Sequence, residues 1–206
     1  MESNVAEKHE AVPIPACGKN SALLVVSMQN DFVLPSSPIR LPTAAAIVPL
    51  IKQAVSFARE RGALIVWAVR EHHPSGRDAE LFRRFKYSGV ALKGTKGAAV
   101  IDELDPQPED HVIVKTRFSA FFGTNLHLVL QAAEIKNLIF AGIQTPNCIR
   151  QAVFDAVAYD YPSVVVLSNA TAAKKPEVHE ANLYDMRMVK VATPTVAEWM
   201  EVEQKE

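Results

Sequence analysis

Short runs of β-branched and aliphatic residues alternate along this chain with longer segments of helical periodicity. This alternation constrains the fold more than any other feature, because it is typical of a parallel β-sheet covered by helices on both faces. The runs predict strands over residues 22–27, 64–69, 111–115, 138–141, 164–167 and, more weakly, 189–192. The sequence therefore predicts a domain of the α/β class.

Threonine and proline residues indicate where the helices between these strands begin. Helices are expected over 43–61 and 124–133, from Thr145 as a cap with Pro146 in the first helical position, and from Pro176 and Pro194. Residues 71–108 are rich in Gly, Pro and charged side chains, and they predict a long irregular excursion. Loops of that length in compact domains are usually functional.

Length and composition indicate a single domain. The 206 residues are 49% hydrophobic, which suffices for one core. Residues 1–20 are charged throughout and lack the apolar stretch of a secretory signal, so we expect a mobile tail there and a domain over 21–206. No apolar run approaches the roughly 18 residues needed to cross a bilayer. We therefore expect a soluble, cytoplasmic protein.

The charge and cysteine content narrow the classes of partner. A net charge of −1 and a pI of about 6.6 argue against nucleic acid and anionic membrane surfaces, which bind to dense Lys and Arg clusters. Small molecules and further copies of the chain are the expected partners. Cys17 and Cys148 lie far apart in the sequence, so a disulfide framework is not expected and a reducing compartment fits.

The candidate catalytic residues are sought at the carboxyl ends of the strands, because ligands of such sheets bind just outside those ends. Cys148 follows the fourth strand and is expected near a helix N-terminus, where the dipole favours a thiolate and backbone N–H groups can hold an oxyanion. A buried structural cysteine is the alternative. Lys115 ends the third strand, either as a solvated terminus or as an ammonium that lowers the thiol pKa.

Ser27 ends the first strand and is followed by the polar residues of "MQND". Its hydroxyl could simply hydrogen-bond that loop. A serine nucleophile would need a positioned base, and neither such a base nor a Gly-x-Ser-x-Gly elbow is present in the local sequence.

The charged residues of the excursion allow two interpretations. Glu71, His72 and His73 include metal-ligand types, but a mononuclear site needs at least three convergent ligands, so a surface loop is expected and no metal. Arg77 and Asp78 are interpreted as the charged start of a helix, with anion binding as the alternative.

Three segments resemble the isochorismatase-like cysteine hydrolase superfamily, which includes nicotinamidases, carbamoylsarcosine and ureidoacrylate amidohydrolases, and isochorismatases. They are "LLVVSMQNDF", "VIVKTRFSAFFGTNL" and "FAGIQTPNCIRQAVFDAVAYDY", and the resemblance extends over about residues 21–199. It implies a Rossmann-like parallel sheet, with Cys148 as the nucleophile for an amide or ureido carbonyl and Lys115 as the cleft lysine. It also implies a cis peptide bond between Ile143 and Gln144, with the N–H groups of Gln144 and Cys148 forming the oxyanion hole.

The chain departs from the family pattern at two places. The family has an aspartate before "MQNDF" as its proton carrier, and Ser27 stands there in this chain. Because a positioned acid or base contributes roughly 10²–10⁴ in rate, activity is expected to be impaired. Family nicotinamidases also have an Asp-x-His pattern with a further His as metal ligands, whereas "REHHPSG" lacks the last ligand, so no cofactor is expected. The family commonly forms oligomers, which predicts a homo-oligomer.

Three functions remain open at this stage. The first is cysteine-dependent hydrolysis of a small amide or ureido substrate, with apolar walls at Phe32, Phe118 and Phe121 and polar anchors at Arg77, Arg117 or Gln144. The second is isochorismatase activity, in which the aspartate would protonate a vinyl ether and Cys148 would be incidental. The third is a catalytically dead ligand-binding homologue, for which Ser27 is the main support.

Overall fold

A five-stranded parallel sheet forms the centre of the computed structural model, which describes residues 12–37, 39–86 and 89–202. The strands are β1 (Ser21–Val26), β2 (Leu64–Arg70), β3 (His111–Lys115), β4 (Asn137–Ile143) and β5 (Ser163–Ala172). Their order is β3-β2-β1-β4-β5, and all neighbours are parallel. Five predicted strands are thus confirmed, whereas 189–192 contributes only a bridge from Ala192 to Val165.

Helices cover both faces of this sheet, as predicted for the α/β class. They are α1 (Asn30–Val33), α2 (Ala44–Glu60), α3 (Leu81–Lys86), α4 (Leu126–Ala132), α5 (Arg150–Ala158), α6 (Pro176–Met188) and α7 (Val196–Met200). Successive residues of a strand point to opposite faces. Leu23 and Val25 accordingly pack in the core with α2 and α7, while Ala22 and Leu24 pack with α4, α5 and α6.

The segment that carries Cys148 differs from the prediction. Thr145–Ile149 form a π-helical turn with Gln144 as its N-cap, and α5 follows from Arg150. Gln144 has the extended backbone of a cap, with φ −95° and ψ 144°, so Thr145 is the first residue of the turn and Pro146 the second. The Thr145 hydroxyl pairs with His179 Nδ1 at 2.8 Å. Single π-helical turns of this kind frequently occur at functional sites.

Two other predicted helix starts move by one or two residues. The helix predicted from Thr124 begins at Leu126 with Asn125 as its N-cap. The Thr124 hydroxyl donates to Ala120 O at 2.6 Å and accepts from Leu126 N at 3.2 Å. The helix predicted from Pro194 begins at Val196, where Thr195 and Glu198 form a capping box. Pro176 opens α6 as predicted.

The described part of the predicted N-terminal tail packs on the domain. Cys17 is buried, and Val12 and Ile14 pack against the core beside α2. Apolar side chains thus hold residues 12–20 on the domain, which corrects the prediction of a mobile tail for that part, while residues 1–11 lie outside the described residues. No helix in the described ranges is long and apolar enough to cross a membrane.

Candidate active site

The carboxyl ends of four of the five strands, β1 to β4, converge on one cleft. Ser27 follows β1, Arg70 ends β2, Lys115 ends β3, and Cys148 lies in the turn after β4, and all four are buried. Ser27, Arg70 and Cys148 line a cavity of about 260 Å³. The register places Arg70 opposite Lys115 on adjacent strands, so the sheet itself brings the two cations together.

Cys148 Sγ lies between the other two residues of the predicted constellation. Lys115 Nζ donates a hydrogen bond to it at 3.4 Å, and Ser27 Oγ donates another at 3.8 Å. Lys115 Nζ also donates to Arg117 O at 3.2 Å, which orients the ammonium. The structure therefore assembles Ser27, Lys115 and Cys148 at one point, as the resemblance implied.

The charged neighbours of Cys148 favour its thiolate. Burial by itself raises the pKa of this thiol, but the positive charges of Lys115 and Arg70 and the hydrogen bond from Ser27 lower it below its ordinary value. Burial lowers the pKa of the Lys115 ammonium to about 8, against the opposing effect of the Cys148 thiolate. The pair is thus suited to a thiolate and an ammonium near neutral pH, and a thiolate is the nucleophilic form.

The peptide bond between Ile143 and Gln144 is cis, as the resemblance implied. Gln144 and Asn147 line the cleft beside Cys148. Gly142, which directly precedes Ile143, has φ +110°, and a Cβ atom there would overlap the carbonyl oxygen of Val26. Only glycine allows such an approach, and it brings the end of β4 against the end of β1, directly before Ser27.

The polar residues after Ser27 hold the long excursion in place. Gln29 Nε2 donates to Arg70 O at 2.7 Å and to Ala98 O at 2.6 Å, and Gln29 Oε1 accepts from Arg70 N at 2.7 Å. Asn30 Nδ2 donates to Lys96 O at 2.8 Å, and Asp31 Oδ2 accepts from Ala91 N at 2.7 Å. The side chains of the "QND" segment therefore have a structural role: they hold the excursion against the domain and fix the backbone of Arg70.

Three of the six predicted substrate contacts line the cleft, namely Phe32, Phe118 and Gln144. The other three point elsewhere. Phe121 is buried in the core against Tyr159 and Tyr161. The side chain of Arg117 donates to Asp78 O at 2.5 Å.

Arg77 is an exposed residue of the excursion and lines a separate pocket with His72 and Arg84. Its predicted alternative role as an anchor in the cleft is therefore wrong. The chain forms a tight turn in which Gly76 N donates to His73 O at 2.8 Å. Arg77 follows this turn and lies outside the cleft that Cys148 lines.

Several residues that line the cleft were not predicted from the sequence. They are Ile39, Leu41, Arg70, Phe82, Arg83, Ile143, Asn147 and Lys174. Arg70 is the most informative, because its guanidinium is almost fully buried and its Nη1 contacts both Glu80 carboxylate oxygens at 3.0 and 2.9 Å. The signal that could have found it is the one that found Lys115, a cation at the carboxyl end of an apolar strand.

The residues near His72 do not fit a metal ion. His72 Nε2 lies 3.3 Å from Arg70 Nη1, and His72 Nδ1 faces Asp78 Oδ1 at 3.5 Å. The His73 ring pairs with Ser75 at 2.8 Å. A guanidinium thus stands beside the imidazole nitrogen that a cation would need, and within the described ranges no three His, Cys, Asp or Glu side chains converge on a metal position.

The structure is a parallel α/β sheet with helices on both faces and a candidate thiol nucleophile at its carboxyl edge. Comparison with known families matches residues 21–203 to the Isochorismatase domain. The chain belongs to the isochorismatase-like hydrolase family.

Individual relatives agree with this assignment. A protein of Arabidopsis thaliana named "probable inactive nicotinamidase" is 53% identical over 188 residues, which cover 89% of this chain and 96% of that protein. A ureidoacrylate amidohydrolase of Cronobacter turicensis is 32% identical over 189 residues, covering 82% of each chain. The crystal structure of an isochorismatase family protein from Desulfovibrio vulgaris matches with a TM-score of 0.82 and 38% identity, covering 86% of this chain and 95% of that one.

Proposed function

We propose that this chain is a cysteine hydrolase for a small amide or ureido substrate whose turnover is limited by Ser27. The observation that carries the proposal is the surroundings of Cys148 Sγ, with an ammonium at 3.4 Å and a hydroxyl at 3.8 Å. The nucleophile and its counter-ion are in place. The position beside them that would suit a proton carrier holds a serine.

The first half-reaction needs a thiolate and an oxyanion site. Cys148 Sγ would attack the carbonyl carbon, and the backbone N–H groups of Gln144 and Cys148 are the candidates to hold the resulting oxyanion. The C–N bond then breaks, which leaves a thioester on Cys148 for an amide substrate and a thiocarbamate for a ureido substrate. The departing nitrogen must take up a proton as it leaves.

Both half-reactions depend on a group that can store a proton. A carboxylic acid at position 27 would give its proton to the leaving amine, and the resulting carboxylate would then take a proton from the water that attacks the thioester, which restores the acid. The Ser27 hydroxyl would have to become an alkoxide to do the same, which is inaccessible near neutral pH. Slow acylation and slow release of the thioester are the expected consequences.

The relatives support amide chemistry with reduced activity. One relative is named a ureidoacrylate amidohydrolase and another a probable inactive nicotinamidase. Vinyl-ether hydrolysis is less well supported, since it would need an acid at position 27 and makes no use of the activated thiol. Ligand binding without turnover is the second candidate, and Ser27 is the observation that favours it.

The test uses a panel of small amides and ureido compounds in the Ser27→Asp background, with ammonia or amine release as the readout. Activity on at least one substrate is expected, and Cys148→Ala in the same background should abolish it because no thioester can form. Activity that survives Cys148→Ala would overturn the thiol mechanism. Ligand binding with no turnover in the Ser27→Asp protein would favour the second candidate instead.

A further inference from the structure

His179 of α6 pairs with the start of the turn that carries Cys148. Its Nδ1 lies 2.8 Å from Thr145 Oγ1, and Thr145 is the first residue of the π-helical turn over Thr145–Ile149. Thr145 is fully buried, and buried polar side chains in proteins are nearly always hydrogen-bonded. The imidazole of His179 therefore supplies the bond that the buried hydroxyl needs.

The helix that carries His179 is itself fixed on the domain. Leu183 and Met186 of α6 are buried in the same core cluster as Cys148 and Ile149. The His179 side chain is only 16% exposed. Because close packing leaves buried side chains little freedom to move, α6 holds the Thr145 hydroxyl at a defined place relative to the sheet.

A second contact between α6 and this segment lies on the other side of Cys148. Arg150, the first residue of α5, donates to Asp185 Oδ2 at 2.7 Å, but the two side chains are 40% and 49% exposed. Exposed ion pairs contribute little because water and salt screen them. The buried pair of Thr145 and His179 is thus the stronger restraint that α6 places on the turn.

This restraint bears on the thiol because Cys148 lies in the same short turn as Thr145. Ile149 N donates to Gln144 O at 3.2 Å, which closes the turn around Cys148, so a shift of its first residue moves the thiol as well. Cys148 Sγ lies 3.4 Å from Lys115 Nζ. Hydrogen bonds weaken steeply as their geometry departs from the optimum, so a displaced turn would weaken the effect of the ammonium on the thiol.

We infer that His179 is a positioning residue: by holding the Thr145 hydroxyl, it sets the orientation of the turn and with it the place of the Cys148 thiol beside the Lys115 ammonium. The role of that thiol as a nucleophile rests on the proposed function. The effect of His179 on the ionisation of the thiol does not, and it is measured without a substrate.

The experiment measures the rate at which iodoacetamide alkylates Cys148 from about pH 6 to about pH 10. The midpoint of this profile reports the ionisation of the thiol, whereas the plateau at high pH reports its exposure. His179→Leu removes Nδ1, so the midpoint should rise, and the rate at pH 7 relative to the plateau should fall about threefold or more. His179→Asn has the size of leucine but keeps a polar group near the position of Nδ1, and it should restore most of the loss.

Variants of Thr145 test the same contact from its other side. Thr145→Val removes the hydroxyl and keeps the shape, so it should raise the midpoint as His179→Leu does, whereas Thr145→Ser should not. In the double variant Thr145→Val/His179→Leu the shift should be no larger than in either single variant, because both changes remove one contact. Additive shifts would overturn the inference.

His127 provides a matched control, because its Nδ1 pairs with the Tyr161 hydroxyl at 3.1 Å and neither residue belongs to the turn. His127→Leu should leave the midpoint for Cys148 unchanged. A His179→Leu protein with a lower melting temperature and an unchanged midpoint would show a merely structural role and would overturn the inference. If His179→Leu fails to fold by circular dichroism, the difference between Thr145→Val and Thr145→Ser decides in the same way.

The outcomes separate this inference from the proposed function. A raised midpoint in His179→Leu, with no substrate turned over by Ser27→Asp, would leave the positioning role standing and reject the hydrolase. Turnover by Ser27→Asp, with a midpoint that His179→Leu does not change, would support the hydrolase and reject the positioning role.

Discussion

The two cysteines lie at opposite ends of the same sheet and differ in their chemistry. Cys17 precedes β1 at the amino edge, and Cys148 follows β4 at the carboxyl edge; neither forms a disulfide, and both are buried. Burial raises the pKa of Cys17 to about 11, although Arg61 opposes it. At Cys148, Lys115 and Arg70 outweigh burial and lower the pKa. Burial alone therefore does not decide reactivity, and the cations at the strand ends do.

The largest expected effect is selective alkylation. With a pKa of about 11, Cys17 would be ionised in only about 10⁻⁴ of molecules at pH 7, whereas a thiol with a pKa below 9 exceeds about 10⁻². Iodoacetamide at pH 7 should thus modify Cys148 more than about 10²-fold faster than Cys17. Peptide mass spectrometry over time measures both rates. Equal rates would contradict the expected difference in reactivity between Cys17 and Cys148.

Replacing the Lys115 ammonium should reduce the difference in alkylation rate between the two cysteines, because it slows the reaction of Cys148. Lys115→Met removes the nearest positive charge, so the pKa of Cys148 should rise by about one unit or more and its alkylation at pH 7 should slow about tenfold. Because the pKa of Lys115 is about 8, the ammonium is present below that pH and is lost above it. The difference between the two proteins should accordingly shrink as the pH rises through 8.

The exposed Lys136 offers a matched control at the amino edge of the sheet. Lys136→Met should leave both alkylation rates unchanged. If Lys115→Met also had no effect on Cys148, the electrostatic account of that thiol would be wrong.

The smallest effect is expected from the serine hydroxyl. Ser27→Ala removes the hydrogen bond to Cys148 Sγ, which is long at 3.8 Å, so alkylation should slow only about two- to threefold. The rate at Cys17 serves as the internal reference in the same sample. A tenfold fall in the alkylation rate of Cys148 would mean that Ser27, and not Lys115, is the main source of thiolate stabilisation.

The strands were predictable because a parallel sheet buried on both faces requires continuous apolar runs. All six residues of β1 are buried, as such a run demands. The pairing of these strands was not predictable, since no local pattern records that β1 lies between β2 and β4. The run at 189–192 matched the same pattern, but only Ala192 bridges to β5.

The candidate site was predictable where a residue's position follows directly from a strand end. Ser27, Lys115 and Cys148 are of this kind, and Arg70 would have been as well, had the second strand been extended by one residue. Phe121 and Arg77 were not, because each lies in a loop whose side-chain direction depends on distant partners. Phe121 packs on Tyr159 and Tyr161, which are remote in the sequence.

The central claim is that the thiol site is assembled and lacks only a proton carrier at position 27. Ser27 has φ +55°, a left-handed conformation in which Asp and Asn are enriched among non-glycine residues, so both substitutions should be tolerated. Ser27→Asn is therefore a matched control for Ser27→Asp, with similar size and no acid.

The decisive measurement is the kcat and KM of the Ser27, Ser27→Asn and Ser27→Asp proteins on a small amide or ureido substrate. The account predicts that the aspartate raises kcat by about 10² or more, that asparagine does not, and that KM changes little. A Ser27→Asp protein that folds normally and turns over the substrate no faster than the Ser27 protein would contradict the claim.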